Sequence, residues 1–450
     1  MLIKNEQLEI PEDNPFINDK LSRECIANNL EKIIDSISTS MVLSIDSSWG
    51  KGKTTFINMW RKRMDQCEKY KTLYFNAWEN DDCDDPLLAM ISEMESTLLS
   101  RTDYDAIAQN LKKYATPLLK SAIPSIIKII TRNVVDINGI KENVNSAEIV
   151  DLFGEVGKAG VSLYKEEKQA KQGFKKTLIE YQETEGKKVV FFIDELDRCR
   201  PTFAIETLEK IKHLFNIPNY IFILALDKEQ LSYSVQTLYG QKMDAKNYLR
   251  RFIDLEYTLP EPNIDSYIDY LLGHYNLKNQ STHYFQLSIK ALAKNNQVTL
   301  REIDKLFNYL SIILPMSELF NDRNYNREYQ LLFGVIYSFF PLMKIKSNEL
   351  FYKFVNGTQI LNTEPYEIII NIFSNVRNDT ILKEYYSSII HKIIYLNYHL
   401  KRGDQLTGEI LTIQGEKLPS IELDLLLDSD YKYIKFINSM MFTEDFIVEN

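Results

Sequence analysis

The stretch from Met41 to Thr55, MVLSIDSSWGKGKTT, constrains this chain more than any other part of it. An apolar run with β-branched residues leads into a glycine-containing loop and then Lys-Thr-Thr, which reads as strand, phosphate loop and helix. Such a loop works because successive backbone N–H groups converge on a phosphate at a helix N-terminus, where the helix dipole also favours negative charge. Gly50 and Gly52 keep side chains out of the way. Lys53 then reaches the β- and γ-phosphates, and the Thr54 hydroxyl is placed to ligate Mg2+. Aligned to G-x-x-x-x-G-K-[ST], the first glycine position holds Ser47. The expected nucleotide-binding segment is therefore Ser47, Ser48, Trp49, Gly50, Lys51, Gly52, Lys53, Thr54 and Thr55.

A glycine-rich turn feeding a surface helix would also produce such a stretch, and a second motif decides between the readings. Lys187 to Pro201 reads KKVVFFIDELDRCRP. The run Val189 to Ile193 suits a strand buried on both faces of a parallel sheet. Asp194 at its C-terminal end is placed to hold Mg2+, directly or through water, and Glu195 to polarise an attacking water as a catalytic base. The competing reading is a solvated acidic turn after a core strand.

Taken together, these residues resemble the KAP group of P-loop NTPases. The phosphate loop is similar at Trp49 to Thr54, a Phe-Asn-Ala-Trp run follows at Phe75 to Trp78, and an acidic strand end matches at Asp194 to Cys199. Upstream, Asp19, Leu21 and Arg23 resemble the family's opening Asp-x-Leu-x-Arg. Downstream, Phe222 to Asp227 resembles its fourth strand, Tyr248 to Pro260 the segment ending in its fifth, and Leu300 to Asn308 its helical-lid motif. The resemblance covers about residues 10 to 310. Leu300 and Asp304 depart from the family's usual lid residues, as Ser47 does in the loop.

The resemblance implies an α/β fold: a parallel five-stranded P-loop NTPase sheet of the additional-strand, catalytic-glutamate type, with a helical lid; beyond Asn308, where the resemblance ends, the residue pattern points to a mainly helical C-terminal domain. The expected strands are Met41 to Asp46, Thr72 to Asn76, Val189 to Asp194, Tyr220 to Leu226 and Ile253 to Leu259. Residues 10–260 form the core, with a helical insertion at about 100–186; 261–320 form the lid; and 321–450 form a partner-docking domain after the polar break Phe320 to Glu328. Arg23 and Asp227 join the nucleotide-binding set, with the N-terminal strap expected over the adenine. Four arginines are candidates for neutralising charge on the transferring phosphate. Arg198 either does so or holds the acidic turn together. Arg301 is the lid candidate, and Arg250 and Arg251 sit where an arginine could reach a neighbouring subunit.

The insertion is expected to hold an amphipathic helix at Lys112 to Arg132, bent near Pro124, a loop at Arg132 to Ser146, and two polar helices at Ala147 to Glu183. Helical patterns continue to about residue 400, and Leu406 to Leu418 reads as a hairpin around Gln414-Gly415. The longest run without Asp, Glu, Lys or Arg, Tyr329 to Met343, contains Gln330, Gly334 and Pro341. A membrane span needs roughly 20 apolar residues, so none is expected.

A formal net charge of −10 argues against general nucleic-acid coating. The cysteines Cys25, Cys67, Cys83 and Cys199 form no C-x-x-C pair, which fits free thiols in a reducing cytoplasm. The five histidines show no metal spacing. Because the guanine-reading Asn-Lys-x-Asp run is absent, ATP is the expected substrate, with Mg2+ as cofactor. The expected function is hydrolysis of ATP to drive or switch a protein complex, with one or more protein partners such as an effector encoded nearby, or further copies of the chain. By resemblance the setting is bacterial anti-phage defence. The alternatives are a non-hydrolysing ATP-binding scaffold and a membrane-periphery organiser that uses the basic amphipathic insertion.

Overall fold

The computed structural model describes residues 9–97, 104–119, 146–277, 283–295, 298–313 and 327–356, Arg402, and two short strands at 412–413 and 416–417. The chain divides into two compact units, Leu8–Pro260 and one beginning at Glu261.

The first unit is built on strands β1 (Met41–Asp46), β2 (Tyr70–Asn76), β3 (Lys188–Asp194), β4 (Tyr220–Leu226) and β5 (Leu255–Thr258). They pair in the order β2-β3-β4-β1-β5, and every pairing is parallel. The expected five-stranded parallel sheet is thus present. All seven residues of β4 are buried, as are Val189 to Asp194 of β3, which is why these segments read as unbroken apolar runs rather than alternating ones.

Helices cover both faces. Helices α1 (Glu24–Ser36) and α2 (Lys53–Asp65) lie on one face, where Leu30, Phe56 and Trp60 pack on Phe192, Ile221 and Ile223. The Trp60 and Phe192 rings meet edge to face at 5.5 Å. The other face carries α3 (Pro86–Thr97), α4 (Asp105–Ala115), α5 (Ser146–Glu185), α6 (Pro201–Leu214), α7 (Lys228–Tyr239) and the short α8 (Ala245–Leu249). There Phe191 stacks on Phe222 at 5.5 Å, and Phe174 and Phe215 close the layer.

Where two polar helices were expected, α5 runs unbroken over 40 residues. Its glycines lower helix propensity by about 1 kcal/mol each, but without a proline nothing forces a break. At Gly173 the glycine has a packing reason: a Cβ there would fall 2.4 Å from the Tyr114 ring, so α4 and α5 approach closely. The expected amphipathic helix is seen only as the end of α4 and a 3-10 turn, Thr116–Leu118. The rest of that segment and the expected loop up to Asn145 lie outside the described residues.

The second unit contains α9 (Ile264–His274), α10 (His283–Asn295), α11 (Leu300–Ile313), α12 (Arg327–Lys346) and α13 (Asn348–Val355). Helix α11 starts with a reciprocal cap. Thr299 Oγ1 accepts from the Glu302 N–H at 3.3 Å, and Glu302 Oε2 accepts from the Thr299 N–H at 2.8 Å. Strands β6 (Thr412–Ile413) and β7 (Glu416–Lys417) pair antiparallel on either side of Gln414-Gly415, where the hairpin was expected. Most of the expected boundary at Phe320 to Glu328 and most of the chain beyond residue 356 lie outside the described residues. No helix among the described residues is long and apolar enough to cross a membrane.

Candidate functional site

Parallel pairing brings the C-terminal ends of four strands to one edge. Asn76 is in register with Asp194, Asp194 with Ala225, and Asp46 with Leu226. The residues that follow these strands therefore converge, and in such a sheet this edge is where ligands bind. The loop after β1 first continues the sheet, since the Ser47 N–H donates to the Leu226 carbonyl at 3.2 Å. It then turns through Gly50 and Gly52, at φ of 76° and 78°, values that glycine adopts without penalty. Ser47 is not at positive φ, so a serine replaces the usual first glycine there without backbone strain.

Gly52 leads directly into α2, and Lys53 is its first residue. The sequence leads one to expect a partly exposed lysine, but Lys53 is only 8% exposed. Its Nζ donates to the Ser47 carbonyl at 2.9 Å, folding the side chain back over the loop. Burial pushes its pKa down, opposed in order by the charges of Asp197, Asp194, Asp227 and Asp46. One cation thus faces four carboxylates.

Asp194 is fully buried. Burial drives its pKa up to about 6, against hydrogen bonds from the Thr54 hydroxyl and the Glu195 N–H, the latter at 2.8 Å. The Tyr74 hydroxyl donates to the other oxygen at 3.4 Å. The Thr54 hydroxyl and the Asp194 carboxylate are therefore in contact, a pair of hard oxygen donors. That is the set Mg2+ takes when it keeps several waters and shares its remaining positions with phosphate, so these two residues fit the ion.

Glu195 adopts φ 60° and ψ 24°, a left-handed conformation that costs a non-glycine residue roughly 1–2 kcal/mol. This bend ends β3 and starts the 3-10 turn Leu196–Arg198. Arg198 Nη1 lies 3.1 Å from Glu195 Oε1, and its guanidinium sits over the rings of Trp49 and Trp78, at 5.9 and 5.4 Å. Arg198 thus holds the turn, engaging the carboxylate expected to act as base. The acidic run after Trp78 is tied to α6: Asp81 accepts from Arg200, and Asp85 pairs with Lys210 at 3.4 Å.

Asp227 caps α7, accepting from the Glu229 and Gln230 N–H groups at 3.1 and 3.2 Å. Arg23 is buried, and its guanidinium donates to the Gly52 and Lys51 carbonyls at 2.8 and 2.6 Å. Asp19 aims it by accepting from the backbone N–H groups of Leu21, Arg23 and Glu24 at the start of α1. The motif Asp-x-Leu-x-Arg thereby links helix entry to the shape of the phosphate loop. Arg250 and Arg251 are exposed at the end of α8, with Arg251 over the Tyr248 ring at 5.8 Å. Among the described residues neither contacts the phosphate loop or the acidic turn. Arg301 is exposed in the first turn of α11, in the other unit, above the buried face of Ile303, Leu306, Phe307 and Leu310.

Of the residues at the site, Tyr74 was not singled out from the sequence, and Asp197 and Trp78 entered only as members of longer motifs, with no role of their own. The alternation within β2 was the signal for Tyr74, which places its side chain on the same face as Asn76. The pairing of Trp49 with Asp197 carried no sequence signal.

The KAP family P-loop domain matches residues 23–316 of this chain. A curated relative, the phage T7 exclusion protein of Escherichia coli (strain K12), is 21% identical over 274 residues, which cover 56% of this chain and 34% of the relative. The chain therefore matches about a third of that relative's length. Among solved structures, the Aeropyrum pernix ORC2 protein is similar in its ADPNP-ADP complexes at 14% identity and a TM-score of 0.35, covering 94% of this chain and 95% of that one. Its ADP form is similar at 12% identity and a TM-score of 0.33, covering 97% and 96%.

Proposed function

The chain belongs to the KAP family of P-loop NTPases, and from that premise we propose that it binds Mg-ATP and hydrolyses it to drive or switch a protein complex. The observation that supports this reading most directly is the meeting at one sheet edge of Lys53, Thr54, Asp194 and Glu195. Backbone N–H groups of the loop and the N-terminus of α2 would receive the phosphates. Lys53 would exchange the Ser47 carbonyl for phosphate oxygens, which need its charge more. Thr54 and Asp194 would hold Mg2+, which supplies positive charge to the β- and γ-phosphates. Glu195 would accept a proton from the attacking water.

ATP is favoured over GTP by the absence of an Asn-Lys-x-Asp run. The setting we infer is bacterial defence against phage, by analogy with the phage exclusion protein. The partners would be one or more proteins, such as a neighbouring effector or further copies of the chain, met in the cytoplasm.

Phosphate release from ATP and GTP, with Mg2+ or with a chelator, tests the reading. ATP-selective, Mg-dependent release that is lost in Lys53→Ala is expected. Absence of both phosphate release and an ATP-dependent rise in melting temperature would refute it. A second reading, an ATP-binding scaffold without turnover, draws on the Arg198–Glu195 ion pair, which occupies the base. Tight binding of ATP without phosphate release in the parent and in Arg198→Ala would favour it.

A further inference from the structure

One more carboxylate stands at the phosphate edge without a task in the scheme above. Asp197 lies in the middle of the 3-10 turn and is 7% exposed. Its Oδ2 accepts from Trp49 Nε1 at 2.5 Å, joining the acidic turn to the phosphate loop across 148 positions of sequence. Its Oδ1 is buried and receives no hydrogen bond. Asp197 is the foremost negative charge acting on Lys53, and it also acts on Asp227. Asp197, Asp194 and Asp227 all act on Lys53, and of these it is Asp194 that the Thr54 hydroxyl serves.

A buried acceptor left unpaired carries an uncompensated desolvation cost. Such an atom in a native structure calls for an explanation, and a catalytic role or a water that completes it is among those that fit a site. Phosphate oxygens cannot do so, because they are acceptors and carry like charge. Lys53 donates to Ser47 here and would donate to phosphate in the bound state. A water is the donor that remains, and since Oδ1 has no room for one as the loop stands, it would enter only when Lys53 leaves Ser47 for phosphate. Water on the cation belongs with Thr54 and Asp194, so the Lys53 side points to the attacking water instead.

We propose that Asp197 is a positioning residue for the attacking water, whose O–H it accepts on Oδ1 while Trp49 fixes Oδ2. This rests on the hydrolytic reading above. A water that donates one O–H to Asp197 and the other to Glu195 turns a lone pair towards the γ-phosphorus. The new O–P bond forms as the bond from that phosphorus to the bridging oxygen of ADP breaks. The water's proton passes to Glu195, and ADP and inorganic phosphate leave. Asp197 takes no proton.

Asp197→Asn tests this with little change of volume. The Trp49 N–H needs an acceptor and will claim the amide carbonyl, so the NH2 group takes the place of Oδ1 and offers a donor where the water needs an acceptor. Binding of a slowly hydrolysed ATP analogue should stay within about twofold of the parent while kcat falls roughly 10- to 100-fold with KM little changed, the scale on which misplacing a reacting group acts. Stabilisation by ADP with fluoroaluminate, read as a melting shift and by tryptophan fluorescence, should be lost, while stabilisation by ADP alone remains. Trp49→Phe, which keeps a ring beside Arg198 and removes the N–H, should show a smaller loss of the same kind. Parental turnover and trapping in Asp197→Asn would overturn the proposal. So would a loss of analogue affinity as large as the loss of turnover, which would mark Asp197 as shaping the loop. Both results leave the hydrolytic reading standing. A parent that binds Mg-ATP but neither hydrolyses it nor traps fluoroaluminate would overturn that reading and this proposal together.

Discussion

Replacing Lys53 with alanine removes more than a phosphate ligand. Lys53 is buried and opposes the charges of Asp197, Asp194, Asp227 and Asp46. Breaking a fully buried pair costs about 3–5 kcal/mol. Part of that is offset here, because Lys53 is itself desolvated and its pKa is already pushed down. Asp194, raised from 3.8 to about 6, already carries a burial penalty near neutral pH of about 3 kcal/mol, at 1.36 per unit. We therefore expect Lys53→Ala to destabilise the apo protein by about 1–3 kcal/mol at pH 8, alongside loss of nucleotide binding.

The sign of the pH dependence follows from the carboxylates. A carboxyl group whose folded pKa lies above its unfolded value holds protons more tightly when folded, so its penalty is present above the folded pKa and is relieved as pH falls through it. Without Lys53, which lowers them, the raised pKa values of Asp194 and Asp227 rise further. The deficit of the variant should thus be largest at pH 8 and shrink on acidification through about pH 6, the value for Asp194. Urea unfolding followed by tryptophan fluorescence is the suitable assay, because all three tryptophans, Trp49, Trp60 and Trp78, lie in the first unit. An unchanged midpoint at pH 8, or a deficit that grows on acidification, would refute the reasoning.

Glu195→Gln should leave Mg-ATP binding largely intact and slow hydrolysis by about 100-fold or more, whereas Asp194→Asn should weaken the Mg2+ dependence of binding. Titration with a slowly hydrolysed analogue separates the two, and equal loss of affinity in both would defeat the division of roles. Gly52→Ala forces a Cβ into a left-handed conformation at φ 78° and should cost about 1–2 kcal/mol of stability, with weaker nucleotide binding; a parental melting temperature and affinity would contradict it. Arg301→Ala should lower the ATPase rate at every protein concentration. Loss at Arg250 or Arg251 should matter only in an assembled form, where an arginine supplied in trans is worth roughly 10³ to 10⁵ in rate. A parental rate per mole that is flat across a dilution series, with no recovery on mixing these variants with Glu195→Gln, would rule out the trans role.

The parallel sheet and the phosphate loop were legible because their physics is local. A strand buried on both faces must be apolar throughout, and a left-handed turn at Gly50 and Gly52 calls for glycine. Asp194 and Glu195 were legible for the same reason, as charges placed directly after such a strand. The continuity of α5 was not, because glycines weaken a helix without breaking it, and the packing of Gly173 on Tyr114 depends on a helix far away in sequence. The burial of Lys53 was likewise hidden: the lysine follows a glycine loop, but the carboxylates that act on it stand at or after the ends of β1, β3 and β4, far apart in sequence.

The departures in α11 show how one motif can keep its helix and change its work. Asp304 accepts from the Tyr267 hydroxyl at 2.6 Å, and Asn308 accepts from the Tyr275 hydroxyl at 3.0 Å, so both tie α11 to the α9 segment. Burial raises the pKa of Asp304, against the lowering effect of that tyrosine. A basic side chain could not accept the Tyr267 proton, so the acidic residue follows from what α11 packs against. Arg301 is left exposed beside this contact. The same logic governs Arg23, whose five N–H donors match carbonyl oxygens and not the amides of the loop. Its place against Lys51 and Gly52 makes it a brace on the loop's backbone, so that the N-terminal segment, through Asp19 and α1, bears on the shape of the phosphate cradle.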